Sequence, residues 1–157
     1  MVAAPPAVRF FVGGQPQTKG SLMLRHKWGP MVAGKPTCKV WPTEQSGSYL
    51  KEWRALVATG AARSMKHNPP FSGPVRVCLT FYFPRPKKQL PHQAASPYVA
   101  VKKRHDNDKL QRAILDALGD AALYEDDGLV ADIHAVKLYV TPEQPLRGVL
   151  IEVEALT

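Results

Sequence analysis

Residues 105–137 read HDNDKLQRAILDALGDAALYEDDGLVADIHAVK, and this run decides the fold. Leu110, Ala113, Ile114, Ala117, Leu118 and Ala121 recur at the spacing of one helix face, while Lys109, Arg112, Asp116 and Asp120 lie mostly off it. The spacing predicts a helix over 108–122, a turn over 125–128 and a strand over 130–140. In that strand Val136, Leu138 and Val140 share one side, and Lys137 and Tyr139 the other. Upstream, residues 75–83 form the clearest strand: Val75, Val77, Leu79, Phe81 and Phe83 alternate with Arg76, Cys78, Thr80 and Tyr82. Shorter strands are predicted over 8–12 and 148–154. A helix is predicted over 48–65, carried by Tyr49, Leu50, Trp53, Leu56 and Val57 and capped by Ser48. Strand, helix and strand in this order predict an α/β (α+β) fold, a small mixed sheet of about four strands with two principal helices. The same reading predicts a single domain over 1–157, with basic loops at about 14–47 and 84–105; the first of these is a loop or an irregular hairpin.

The charge is unevenly spread. Residues 1–105 hold 17 Lys/Arg against two acids, and residues 106–157 hold four against 11, so a net charge of +8 conceals a basic part at +15 and an acidic part at −7. The basic part suits a polyanion. The acidic part repels phosphate unless a cation neutralises it. No apolar run approaches the roughly 20 residues of a membrane helix. Two distant cysteines, Cys38 and Cys78, argue against a disulfide scaffold or a zinc site and for a reducing, cytoplasmic setting.

Asp106 and Asp108 stand two residues apart where the helix begins. Either can cap it, but capping accounts for one aspartate and not for both, nor for Asp127 beyond the helix. The expected fold returns Asp127, at the start of the next strand, beside the first two. Three carboxylates sharing a site repel one another, and a hard, oxygen-preferring cation relieves this: Mg²⁺, with Mn²⁺ as substitute. Arg112 and Lys137 are the cations placed to orient water or stabilise transition-state charge. The plainer reading makes Asp108 and Arg112 a surface ion pair at i,i+4, leaves Asp116, Asp120 and Asp126 solvated, and treats His134 as an ordinary strand histidine. Trp53 belongs to the core stripe, which leaves Trp28 and Trp41 to stack bases. Lys19, Arg25, Lys27, Arg85, Lys87, Lys88, Lys102, Lys103 and Arg104 are the expected phosphate contacts.

The run from His105 through Leu118, an Asp-x-Asp-x-Leu segment opening an Asp-Ala-Leu helix, resembles the signature of the RusA family of Holliday junction resolvases. The likeness continues through Tyr124, Glu125, Asp126 and Asp127 to Lys137, and the opening 10–20 resembles the family's first strand and basic loop. The resemblance implies small homodimeric endonucleases of bacteria and phages. They act on four-way DNA junctions in recombination and repair and make paired nicks with a divalent cation, preferably magnesium, that leave 5′-phosphate and 3′-hydroxyl ends. It puts the catalytic carboxylates on Asp106, Asp108 and Asp127, which also hold the metal. Arg112 stands where the family has a catalytic lysine, and Lys137 is similar to a lysine on the family's following strand. The alternatives are a less selective nuclease of forks or flaps, a non-catalytic branched-DNA-binding protein, and an RNA-processing enzyme.

Overall fold

The computed structural model describes residues 7–20, 22–44, 47–88, 95–101 and 104–156. In chain order, the strands are β1 (Ala7–Gly13), β2 (Leu22–Val32), β3 (Lys35–Glu44), β4 (Val75–Phe83), β5 (Val130–Tyr139) and β6 (Gly148–Ala155). The helices are α1 (Ser48–Ser64) and α2 (Asn107–Asp120). A four-stranded mixed sheet has the order β1-β6-β4-β5, with β4 and β5 parallel and the other neighbours antiparallel. The parallel pair requires a crossover, and α2 supplies it.

The fold expected from the sequence is the one observed: a mixed sheet of four strands with two helices. One face of β4 (Val75, Val77, Leu79, Phe81, Phe83) meets Val149, Ile151 and Val153 of β6 under the helices. Leu110, Ala113, Ile114, Ala117 and Leu118 of α2 are completely buried there. Leu50, Trp53, Val57 and Ala61 form the buried stripe of α1, so Trp53 is a core residue. Gly60 lets α1 approach β1, since a Cβ there would stand 3.1 Å from both Phe10 and Val12. Ser48 does not cap α1. The cap residue is Gly47, which has no side chain to offer, and Ser48 is already helical.

The stretch at 14–47 is more regular than a loop. β2 and β3 pair into a two-stranded ribbon apart from the main sheet, with one register irregularity between Trp28 and Met31. It turns at Ala33 and Gly34, both at positive φ (50° and 74°), the geometry that matches strand twist in a tight hairpin. Pro30, Pro36 and Pro42 obscure this pattern in the sequence.

The outer face of the main sheet carries charge in register. Arg76 lies opposite Asp132 and Glu154 on its two neighbouring strands and binds them at 2.6 and 2.9 Å. His134 Nε2 stands 3.0 Å from Asp132. Hydrogen bonding from Arg76 holds the Asp132 carboxyl below its ordinary range. No helix among the described residues is long and apolar enough to cross a membrane.

Two stability predictions follow from this packing. Gly148 sits at φ 152° beside β1, where a Cβ would overlap the Val12 carbonyl oxygen. Gly148→Ala is therefore expected to lose more than about 1 kcal/mol in urea unfolding; an unchanged midpoint would show that β1 yields freely. Because the Asp132 pKa is depressed on folding, its contribution is present above the unfolded value of about 3.9 and fades as pH falls through the lower folded value. Asp132→Asn should thus lower the urea midpoint at about pH 7, and the gap from wild type should close towards about pH 2. A gap of constant size would assign the loss to something other than charge.

Candidate active site at the entrance to α2

The approach to α2 is pinned from several sides. After β4, residues 97–99 run along the end of β5, with Tyr139 N donating to Pro97 O (2.9 Å) and Val99 N to Lys137 O (3.0 Å). His105 then adopts a positive φ of 55° and packs its ring on Phe83, centroids 4.3 Å apart. Lys137 Nζ donates to the His105 carbonyl at 2.9 Å, and Asn107 Nδ2 donates to the Ala135 carbonyl at 3.1 Å. Asn107 is thereby turned to the sheet, while the carboxylates on either side of it, Asp106 and Asp108, are half or more exposed.

Asp106 is the N-cap residue by position, yet its carboxylate caps nothing. It contacts Lys109 Nζ at 3.1 Å. Asp108 and Arg112 meet at only 4.0 Å with both side chains about two-thirds exposed, a weak surface pair that leaves the carboxylate accessible. Asn107 Oδ1 is buried without a hydrogen-bond partner among the described residues. Burial pushes the His105 imidazole below its ordinary pKa, and the charges of Lys137 and Arg104 push the same way, so the ring is neutral at neutral pH.

A cleft of about 260 Å³ opens here between Asp106, Lys109 and the loop Gln15–Thr18. That loop is held by Lys19, whose N–H donates to the Lys109 carbonyl (3.1 Å) and whose ammonium binds Asp116 (2.7 Å). Asp116 and Asp120, expected to be solvated, are instead partners of Lys19 and Arg54. Their partners lie far off in sequence, so no local pattern announces them. A larger cleft of about 610 Å³ adjoins the first and shares Gln15, Pro16, Arg104 and His105 with it.

Asp127 is elsewhere. It opens a single 3₁₀ turn (Asp127–Leu129) and borders a shallow hollow with Arg54, Asp116, Asp120 and Tyr124. Burial, and then the charges of Asp127 and Asp116, raise the pKa of the Tyr124 phenol, which donates to the Leu115 carbonyl. The expectation that Asp127 returns beside Asp106 and Asp108 within one chain is not met. The reason is direction. A helix crossing the sheet delivers the next strand at its far end, so the later part of β5, not its start, meets the entrance of α2. Asp106 stands at the entrance of α2, whereas the hollow that Asp127 borders is lined by Leu115, Asp116, Gly119 and Asp120 from the helix's second half. Among the described residues, no three His, Cys, Asp or Glu side chains lie close enough to hold a metal ion.

The expected phosphate contacts divide into groups. Lys19 is engaged with Asp116. Arg85 lies over the Tyr139 ring at 4.7 Å and donates to Ser96 O at 3.3 Å. Lys87, Lys88 and Arg104 are exposed around the larger cleft, and Lys102 and Lys103 fall outside the described residues. Arg25 and Lys27 sit on the β2–β3 ribbon, which is two-faced. Leu24, His26 and Trp28 share one face with Cys38, Val40 and Pro42, while Arg25 and Lys27 share the other with Lys39 and Trp41. Lys27 and Lys39 stand directly opposite each other, a like-charge pairing that favours an anion nearby. Sequence reasoning missed Tyr139 and Arg147, which join the larger cleft only through folding.

No curated protein matches the sequence. The sequence model of the family described as Endodeoxyribonuclease RusA matches residues 14–154, taking in the ribbon, both clefts and the acidic entrance of α2. With that match over nearly its whole length, the chain belongs to the RusA family of endodeoxyribonucleases, which resolve Holliday junctions.

Proposed function

We propose that this chain is a magnesium-dependent resolvase that works on four-way DNA junctions as a homodimer in the cytoplasm. It hydrolyses two opposed phosphodiesters to leave 5′-phosphate and 3′-hydroxyl ends. The observation that carries this is the exposed pair Asp106 and Asp108, which serves neither as a helix cap nor as a strong ion pair, with Asp106 at the edge of a cleft that Arg104 and Lys109 also line.

The residues at the entrance fit a hard cation. Asp106 and Asp108 offer exposed carboxylate oxygens without strong partners, hard donors suited to Mg²⁺, with Mn²⁺ as substitute. Asp106 and Asp108 would hold the ion, and Asp127 of a second copy of the chain would supply the third carboxylate that one copy holds apart from them. Bound there, magnesium supplies charge neutralisation and Lewis-acid polarisation of the phosphate. The chain's own groups do the rest. Lys137 fixes the peptide leading into Asp106 through the His105 carbonyl. Arg112, exposed one turn into α2, contributes positive charge towards the phosphate as its charge builds. An arginine does not release a proton near neutrality, so its role is electrostatic.

Dimerisation has support in the surfaces that one chain leaves bare. An isolated two-stranded ribbon is marginal in water, yet Leu24, Trp28 and Val40 on its apolar face are all exposed. Twofold symmetry also matches the requirement for two equivalent cuts.

A mixing experiment tests the shared site. Asp108→Asn and Asp127→Asn should each lose cleavage of a synthetic four-way junction by about a hundredfold or more, the scale of a lost transition-state contact, while still binding it. Mixed and allowed to exchange subunits, the two should regain nicking of one strand, because one site of each heterodimer is then intact. A mixture as inactive as its components would place all three carboxylates in one chain or remove Asp127 from the site. Forks and linear duplex run alongside should be cut more slowly than the junction; equal rates would make the enzyme a general nuclease.

Arg112→Lys should keep most of the activity, whereas Arg112→Ala should lower kcat by about ten- to a hundredfold with junction affinity little changed. Equal kcat values for alanine and wild type would mean that Arg112 only pairs with Asp108.

A further inference from the structure

We propose that the larger cleft beside Asp106 captures one unstacked nucleotide of the branched DNA strand and so sets where along the strand the enzyme cuts. The inference rests on the functional reading above and adds to it a nucleotide-binding site.

The cleft lies at the carboxyl ends of the parallel strands β4 and β5, where open sheets with crossover helices form their ligand crevices. Its volume of about 610 Å³ is that of an ordinary small-ligand site. Phe83, Val99 and Tyr139, all buried, back it, and the flat groups packed on the two rings, His105 on Phe83 and Arg85 over Tyr139, line it as well. Its edge is cationic, with Lys87, Lys88, Arg104 and Arg147 among the lining residues and no acid among them. Cations around one hollow repel each other, and the fold gains nothing from gathering them unless an anion enters. Planar groups such as His105 and Arg85 beside a cationic rim match a nucleotide, the base stacking on them and the phosphates meeting the rim.

Its position narrows the ligand further. The cleft shares Arg104 and His105 with the smaller cleft that Asp106 borders, so a nucleotide held in it is a close neighbour of the phosphate at the carboxylates. A base stacked inside a duplex cannot enter such a concavity; one that is unpaired or swung out of the stack can. Stacking is interrupted at the crossover of a junction, so that is where such a base is cheapest to obtain.

The test uses 2-aminopurine, whose fluorescence is quenched by stacking, placed in turn at each position near the crossover of a four-way junction. Overall binding is followed separately by anisotropy of a remote label. With the wild-type protein, one position is expected to brighten severalfold on binding. With Arg104→Ala/Arg147→Ala, both exposed positions whose loss spares the core, that signal should vanish while junction affinity falls by about tenfold or less. A junction that binds without brightening at any position would overturn the proposal and leave the resolvase reading standing. Failure to bind the junction at all would sink both. Equal brightening in a linear duplex would show that the branch is not what frees the base, and free deoxynucleoside monophosphate competing as well as a single strand would make the cleft a site for free nucleotides instead.

Discussion

The ammonium of Lys137 donating to the carbonyl of His105 is the contact on which the rest of the site depends. With the neighbouring bond from Asn107 to Ala135, it ties the entrance of α2 to β5. β5 is itself fixed by its parallel pairing with β4 at the centre of the sheet. The two acids therefore sit on a rigid frame although each carboxylate is open to solvent. Phe83 under His105 completes the frame by forcing the chain through a left-handed conformation just before the first acid. Strain of this kind persists only where the surroundings over-determine it.

Electrostatics divide the molecule by task. Acids that stabilise the fold are paired: Asp116 and Asp120 with Lys19 and Arg54, and Asp132 and Glu154 with Arg76. The acids at the entrance of α2 have only weak, exposed partners. Cations show the same division. Lys19 and Arg76 are committed to carboxylates, whereas Arg25, Lys27 and Lys39 are exposed on one face of the ribbon. Such a surface attracts phosphate by releasing counterions and positions DNA without reading its sequence. The concave features near the acids are the two adjoining clefts, the smaller bordered by Asp106 and the larger joined to it through Arg104 and His105.

A single chain also leaves surfaces that its own fold does not use. The ribbon's apolar face is exposed, and Asp127 borders a hollow apart from Asp106 and Asp108. The homodimer proposed above would account for both, a second copy covering apolar surface and bringing the distant acid to the first two.

The sequence alone determined the elements that depend on local periodicity. Residues 75–83 and 130–140 alternate as strands, and the stripe from Leu110 to Leu118 forms a helix; each was legible because burial on one face imprints a period of two or 3.6 on neighbouring residues. The acidic pair and its place at a helix entrance were legible for the same reason. The ribbon was only half legible, since its prolines and bulge mask the alternation. Alternation on β5 separated Lys137 and Tyr139 from Val136 and Leu138 but could not say which side meets α2. Only the tertiary structure decided that Lys137 faces inward to hold His105, that Arg147 joins Arg104 around one cleft, and that Asp127 stands apart from Asp106 and Asp108. Those outcomes depend on strand direction and on contacts between residues far apart in the chain, and periodicity, being local, carries no record of them.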